Sequence, residues 1–276
     1  MNMREHTVTI GLEFRCRLAT RTRLFSPCAM AMSAAPDSQV DAYTLALPGT
    51  LPALNRQAVE LAIRLALALG AAIAPVSRWV RRHAFDPSLP KGYQTTQGEA
   101  PLARGGTIEV AGRALRLTSI RLAEHAGELR NGSVDFSRAG APLLELAGES
   151  MIMRAAPEEA SAYLRALQAI VRATGVADSD MPGALRCDAH VSLWPKGQEG
   201  SGARCTVADL GSGPALERAI AAEIQRQAAL LDQGLVVASM TPEANHLYLP
   251  EPDLPPLRID AAWIERARAG LPDPLR

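Results

Sequence analysis

The decapeptide Gly183–Ser192, GALRCDAHVS, alternates two chemistries. Leu185, Cys187, Ala189 and Val191 are apolar, and Arg186, Asp188, His190 and Ser192 between them are polar or charged. A period of two is the period of a β-strand, so the second set shares one face. A cation, a carboxylate and an imidazole in a row suit an anion or metal site. A solvated sheet face is an equal reading of the pattern alone. Thr7–Leu18 repeats the alternation: Val8, Ile10, Leu12, Phe14, Cys16 and Leu18 point one way, and Glu13, Arg15 and Arg17 lie on the other face. We therefore expect these two strands in one sheet, with Glu13 and Asp188 on one side of a concave site. Two further stretches carry chemistry-bearing residues. One is Val134–Leu146, VDFSRAGAPLLEL, followed by Glu149; the other is HAFDPSLPKGYQTTQ, with Lys91, Tyr93 and Gln94. Pro87, Pro90 and Gly92 predict an irregular loop across residues 77–97.

The elements that must carry these residues mix helix and strand. Asn55 caps an expected helix that ends at Gly70, with an apolar stripe of Ala58, Leu61, Ala62, Leu65 and Leu69. Pro157 opens a second, with Glu158 and Glu159 in its first turn and Tyr163, Leu164, Leu167, Ile170 and Val171 inward. Pro214 opens a third, with Leu216, Ile220, Ile224 and Leu231 inward, and Ala261–Ala269 is a short last helix. Residues 108–120 read as a hairpin about Gly112. Residues 26–52 read as loop, and the prolines of LPEPDLPPLRID dictate extended chain.

Composition excludes several classes. The 276 residues, 47% of them hydrophobic, suffice for a sizeable core. A formal net charge of zero argues against a general polyanion binder, although Arg15, Arg17, Arg21 and Arg23, and Arg78, Arg81, Arg82 and His83, form local basic clusters. Cys16, Cys28, Cys187 and Cys205 show neither zinc spacing nor a disulfide framework. The N-terminus lacks the apolar core of a signal peptide, and the most apolar stretch, residues 61–74, holds Arg64 and Gly70 and is too short to span a membrane. A cytoplasmic protein is expected.

The stretches IGLEFRCRL, LPKGYQTTQ, VDFSRAGAPLLEL with Glu149, PEEASAYLRALQAIVRATGVAD, GALRCDAHVSL and LPEPDLPPL occur in that order. Together they resemble the B subunit of the tRNA-dependent amidotransferase, over nearly the whole chain. The resemblance implies an α+β cradle domain with a glutamine-synthetase-like catalytic core, built as a mixed or antiparallel sheet with flanking helices. It implies that residues 1–276 are one such cradle, without the family's C-terminal helical and tRNA-gripping tail domains. It implies a carbon–nitrogen ligase: ATP phosphorylates the side-chain carboxylate of Glu-tRNA(Gln) or Asp-tRNA(Asn), and ammonia then displaces the phosphate. The ammonia comes from a glutaminase subunit, and a small subunit clamps the two. Aminoacyl-tRNA would be held weakly by this chain alone, and no membrane is involved.

Phosphoryl transfer asks for Mg²⁺ on hard oxygen ligands and for cations on the phosphates. The resemblance places the metal on Glu13, Glu124, Glu149 and Asp188, puts Arg138, Arg186 and Lys91 in catalytic roles, and sets Tyr93 and Arg204 against the nucleotide. Asp135 and Glu145 would orient neighbours. The chain also departs from the family. Arg15 replaces a metal-binding His, which argues against a tight Mg²⁺ site. Ala123, Glu124 and His125 replace a Glu-Glu-Asp run, and Glu128 replaces a Lys. Residues 204–212, RCTVADLGS, lack a Glu, a Lys and two Asn of the family pattern, and a basic segment is largely missing between Gly234 and Tyr248. Each lost electrostatic group is worth ~3–4 kcal/mol of transition-state stabilisation. The alternative expectation is thus a catalytically degenerate cradle that binds a partner subunit or aminoacyl-tRNA without phosphoryl transfer.

Overall fold

A computed structural model describes residues 6–30, 35–152, 156–177, 183–197, 202–240 and 246–273. The missing basic segment between Gly234 and Tyr248 therefore lies partly outside the described residues.

Nine strands matter for the site: β1 (His6–Arg17), β2 (Trp79–His83), β3 (Tyr93–Gln97), β4 (Thr107–Val110), β5 (Arg113–Glu124), β6 (Pro142–Gly148), β7 (Leu185–Pro195), β8 (Cys205–Leu210) and β9 (Leu247–Pro250). Eight of them run side by side in the order β8-β7-β1-β6-β5-β3-β2-β9, and every one of these pairings is antiparallel. Strand β4 makes the expected hairpin with β5 about Gly112, although β5 runs on to Glu124.

The apolar face of the sheet forms the core. Ile10, Leu12, Phe14 and Cys16 of β1 are fully buried, as are Leu144 and Leu146 of β6 and Cys187, Ala189 and Val191 of β7. Helices α1 (Arg56–Ala68), α2 (Ala156–Thr174), α3 (Gly213–Asp232) and α4 (Ala261–Ala269) supply further members of this core, among them Leu65, Leu164, Ile220 and Ala267. The Asn55 side chain accepts from the amides of Gln57 and Ala58, as an N-cap should. One polar residue fastens α3 to the sheet. Gln227, fully buried, accepts from the Leu193 amide at 3.0 Å and donates to the Val191 carbonyl at 3.1 Å. Both orphan strand groups are thereby satisfied.

The irregular loop expected across residues 77–97 is a hairpin instead. Trp79–His83 and Tyr93–Gln97 pair in register, Trp79 with Gln97 and His83 with Tyr93. The prolines and Gly92 sit only in the connection, and the flanks, WVRRH and YQTTQ, carry the aromatic and β-branched residues that suit a pleated surface. The fold is α+β with a large antiparallel sheet.

Candidate functional site

Strands β1 and β7 pair residue for residue, Glu13 opposite Asp188, Arg15 opposite Arg186 and Gly11 opposite His190. Their polar residues therefore share one face, as the alternation requires. Beyond β1 the same face continues through Glu145 of β6, opposite Arg15, and Arg121 of β5, opposite Glu145. A cavity of about 310 Å³ opens here, lined by Glu13, Arg15, Arg82, Arg121, Glu145 and Asp188 among others. It shares Arg82, Arg121, Glu145 and Tyr248 with a cleft of about 930 Å³ that runs along β2, β3 and β9.

The carboxylates in this face are heavily engaged. Arg15 Nη2 donates to Asp188 Oδ2 in a close ion pair, and the Asp209 amide donates to Asp188 Oδ1 at 2.7 Å. Although burial pulls the Arg15 guanidinium down, its bond to Asp188 holds it above its ordinary value. His190 Nε2 stands 3.4 Å from Glu13 Oε1, and Arg204 Nη2 stands 3.8 Å from the same oxygen. Contact with His190 holds the Glu13 carboxyl below the usual range, against the opposing effect of burial. His190 Nδ1 in turn lies 2.8 Å from Thr206 Oγ1. Burial pushes the Glu145 carboxyl up, despite the nearby guanidinia of Arg82, Arg15 and Arg121.

A second cluster lies on the other side of the sheet. Ala123 and Arg121 share a face, so alternation turns Glu124 away from the cavity. Glu124 is buried, its Oε1 accepting from Lys91 Nζ and from the Thr95 amide at 2.8 Å. Lys91 also donates to Tyr43 Oη at 3.1 Å and lies 4.6 Å and 5.1 Å from the ring centroids of Tyr43 and Tyr93. Arg81 sits 4.5 Å from the Tyr93 centroid and grips Glu251 in a fork, at 2.9 and 2.8 Å, and Asp253 at 2.9 Å. Of these groups Tyr43, Lys91, Tyr93, Glu251 and Asp253 border a cavity of about 300 Å³.

The nine sequence-derived site residues therefore fall into separate places. Glu13 and Asp188 come together on the concave face, with Arg186 beside Arg15 in register and Arg204 near Glu13. Arg186 is held by Asp209, through its carboxylate and its carbonyl at 3.2 Å. Glu124, Lys91 and Tyr93 form the second cluster, behind the sheet. Glu149 follows a register shift after Ala147 and pairs with Arg116 at 3.2 Å near the surface. Arg138 pairs with Glu128 at 3.3 Å. The four acids expected to share a metal are thus not one ligand set, because strand parity sends Glu124 through the sheet and the shift diverts Glu149. Among the described residues no group of three or more His, Cys, Asp and Glu side chains is placed to hold a metal ion. With Arg15 on Asp188 and the cation Arg121 where β5 faces the cavity, the residues present do not fit Mg²⁺.

Sequence reasoning noted Arg82 only as part of a local basic cluster, missed Arg121, and made Glu145 only an orienting residue. Arg82 lay in a segment read as loop. Arg121 follows Ile120, where the expected hairpin strand stopped; extending its alternation would have placed Arg121 and Ala123 together.

A profile described as "GatB/GatE catalytic domain" matches residues 8–265. Curated relatives, each named as the B subunit of an aspartyl/glutamyl-tRNA(Asn/Gln) amidotransferase, align along almost the full chain. Those of Anaeromyxobacter dehalogenans and Herminiimonas arsenicoxydans are each 40% identical, over 99% and 96% of this chain and 62% and 61% of their own lengths. That of Moorella thermoacetica is 38% identical over 98% of this chain and 62% of its own. The chain thus spans about three fifths of the length of the curated relatives it matches. Among the described residues no helix is long and apolar enough to cross a membrane.

Proposed function

The chain belongs to the GatB/GatE catalytic-domain family, and from that premise we propose that it serves as the carboxylate-activating part of a tRNA-dependent amidotransferase. The substrate is the side-chain carboxylate of Glu-tRNA(Gln) or Asp-tRNA(Asn). ATP is the phosphoryl donor: its γ-phosphoryl group passes to a carboxylate oxygen, ADP leaves, and an acyl phosphate forms. Ammonia then attacks the acyl carbon, inorganic phosphate departs, and the side chain becomes an amide. A glutaminase-type partner subunit supplies the ammonia, a small third subunit clamps the pair, and the core is of the glutamine-synthetase kind.

The observation that carries this reading is the concave face itself, where Arg15, Arg82 and Arg121 surround one cavity floor together with Glu13, Glu145 and Asp188. Guanidinium forks match both carboxylate and phosphate geometry, and in a recessed site they are preorganised for the charge that develops during transfer. No step is assigned to Mg²⁺, because the side chains present do not hold it. Lys91 and Tyr93 cluster with Glu124 on the other side of the sheet and do not line this cavity, so their part is to fix the β2–β3 hairpin that carries Arg82.

One observation favours a second reading, a cradle that binds partner or aminoacyl-tRNA without phosphoryl transfer: the Arg15–Asp188 pair consumes a carboxylate that would otherwise face the substrate. The deciding experiment reconstitutes the chain with its glutaminase and clamp subunits and supplies Glu-tRNA(Gln), glutamine and ATP. Formation of Gln-tRNA with one ADP per amide supports the first reading. Binding of Glu-tRNA(Gln) without ADP release leaves the second.

A further inference from the structure

Arg121 is the least satisfied cation in the concave face. Its Nε is buried without a hydrogen-bond partner, and it borders both the cavity and the adjoining cleft. Arg82, on β2, borders the same two spaces and gives one N–H to Gln94 Oε1. A guanidinium carries five N–H donors in a planar fork, so both residues have donors to offer. Two of the three acids on this floor are occupied: both oxygens of Asp188 accept hydrogen bonds, from Arg15 and from the Asp209 amide, and Glu13 faces His190 and Arg204. Arg15 therefore supplies, as a permanent charge, the neutralisation that a metal ion would give to clustered carboxylates. What remains open toward the cavity is Arg82 and Arg121 against the single carboxyl of Glu145, a balance that is cationic.

We propose that Arg121 and Arg82 bind a phosphate group of a polyphosphate ligand directly, with no divalent ion between, and that the Arg15–Asp188 pair stands in the place of the metal. The cleft of about 930 Å³ beside them is of a size to take the rest of a nucleotide. This rests on the concave face being the reactive one, but not on amidation. A protein that fails to make Gln-tRNA and still shows the behaviour below loses only the amidotransferase reading.

The test is calorimetric titration of the full chain with inorganic tripolyphosphate in excess EDTA. Manganese binding is followed separately by electron paramagnetic resonance. The expected result is saturable tripolyphosphate binding in EDTA, weakened about 10-fold or more by Arg121→Gln and by Arg82→Gln, since each loses a charge-assisted fork. Arg116→Gln, a surface change outside the cavity, should leave it within about 2-fold. Wild-type protein should leave millimolar Mn²⁺ free. If Arg121→Gln fails to fold, Arg121→Lys decides, because it keeps the charge and loses the fork: partial weakening supports the proposal, and unchanged affinity overturns it. The proposal also falls if tripolyphosphate binds only when Mn²⁺ is added. Stoichiometric Mn²⁺ binding by the wild type that disappears in Asp188→Asn would overturn it equally.

Discussion

Replacing Lys91 by Met would strip the counter-ion from a carboxylate that has almost no access to water. The two side chains are 8% and 4% exposed, so screening by solvent is slight. Removing one partner of such a pair costs about 3–5 kcal/mol, because the other charge is left buried and uncompensated. Glu124 keeps the Thr95 amide at 2.8 Å, and that charge-assisted bond places the expected loss near the lower end, about 3 kcal/mol. For a domain of this size each kcal/mol moves the melting temperature by about 2–4 °C, which gives a fall of roughly 6–12 °C. Removing both charges together, in Lys91→Met with Glu124→Leu, should recover most of the loss, since no isolated charge then remains. The assay is urea denaturation followed by circular dichroism at pH 7.5 for wild type, both single variants and the double variant. It is repeated in 0.5 M salt, where a pair this buried should keep its coupling. Simple additivity of the two single changes, or a loss below about 1 kcal/mol for Lys91→Met, would refute the reasoning. The pair would then be wet or broken in solution.

Three further outcomes follow from the same geometry. Arg15→His frees Asp188 and sets an imidazole beside two carboxylates, so Mn²⁺ affinity measured by electron paramagnetic resonance should rise at least about 10-fold; equal binding before and after removes the argument that Arg15 blocks the metal. The two cavity carboxyls should show opposite pH behaviour in thermal melts. Glu13 is held below its ordinary value, so its stabilising effect is present above the usual carboxylate range near ~4.3 and lost as pH falls through the lowered folded value; Glu13→Gln should cost under about 1 kcal/mol at pH 7 and nothing in strong acid. Glu145 is pushed up by burial, so relative stability is full below the ordinary value and lost as pH rises toward the folded one; Glu145→Gln should melt higher than wild type at pH 7.5 and level with it near pH 3, and the reverse order would show that Arg82, Arg15 and Arg121 outweigh burial. Asn55→Ala removes the side chain that caps α1 through the Gln57 and Ala58 amides and should cost about 1 kcal/mol in urea denaturation, with no effect on tripolyphosphate binding.

The alternation determined by itself that Glu13 and Arg15 share one face of β1, and Asp188 and His190 one face of β7, because strand geometry repeats every two residues whatever the partner. Start signals and apolar stripes determined the first three helices for a similar reason: their signals lie within a few residues of each other. The ordered motifs determined the family. Tertiary structure decided which charges meet. Glu124 and Arg121 sit three residues apart, yet the parity of β5 puts one behind the sheet with Lys91 and the other in the cavity with Arg82. Nothing local to Arg82 shows that it lines one cavity with Arg121, since β3 lies between their strands, and the prolines near it had disguised β3 as loop. The pairing of Arg15 with Asp188 spans 173 residues of chain, and only the register between two distant strands brings that cation to that carboxylate. Local chemistry sets which face a side chain takes; which charges neutralise one another depends on strand order and register, and these follow from packing the whole sheet against its helices.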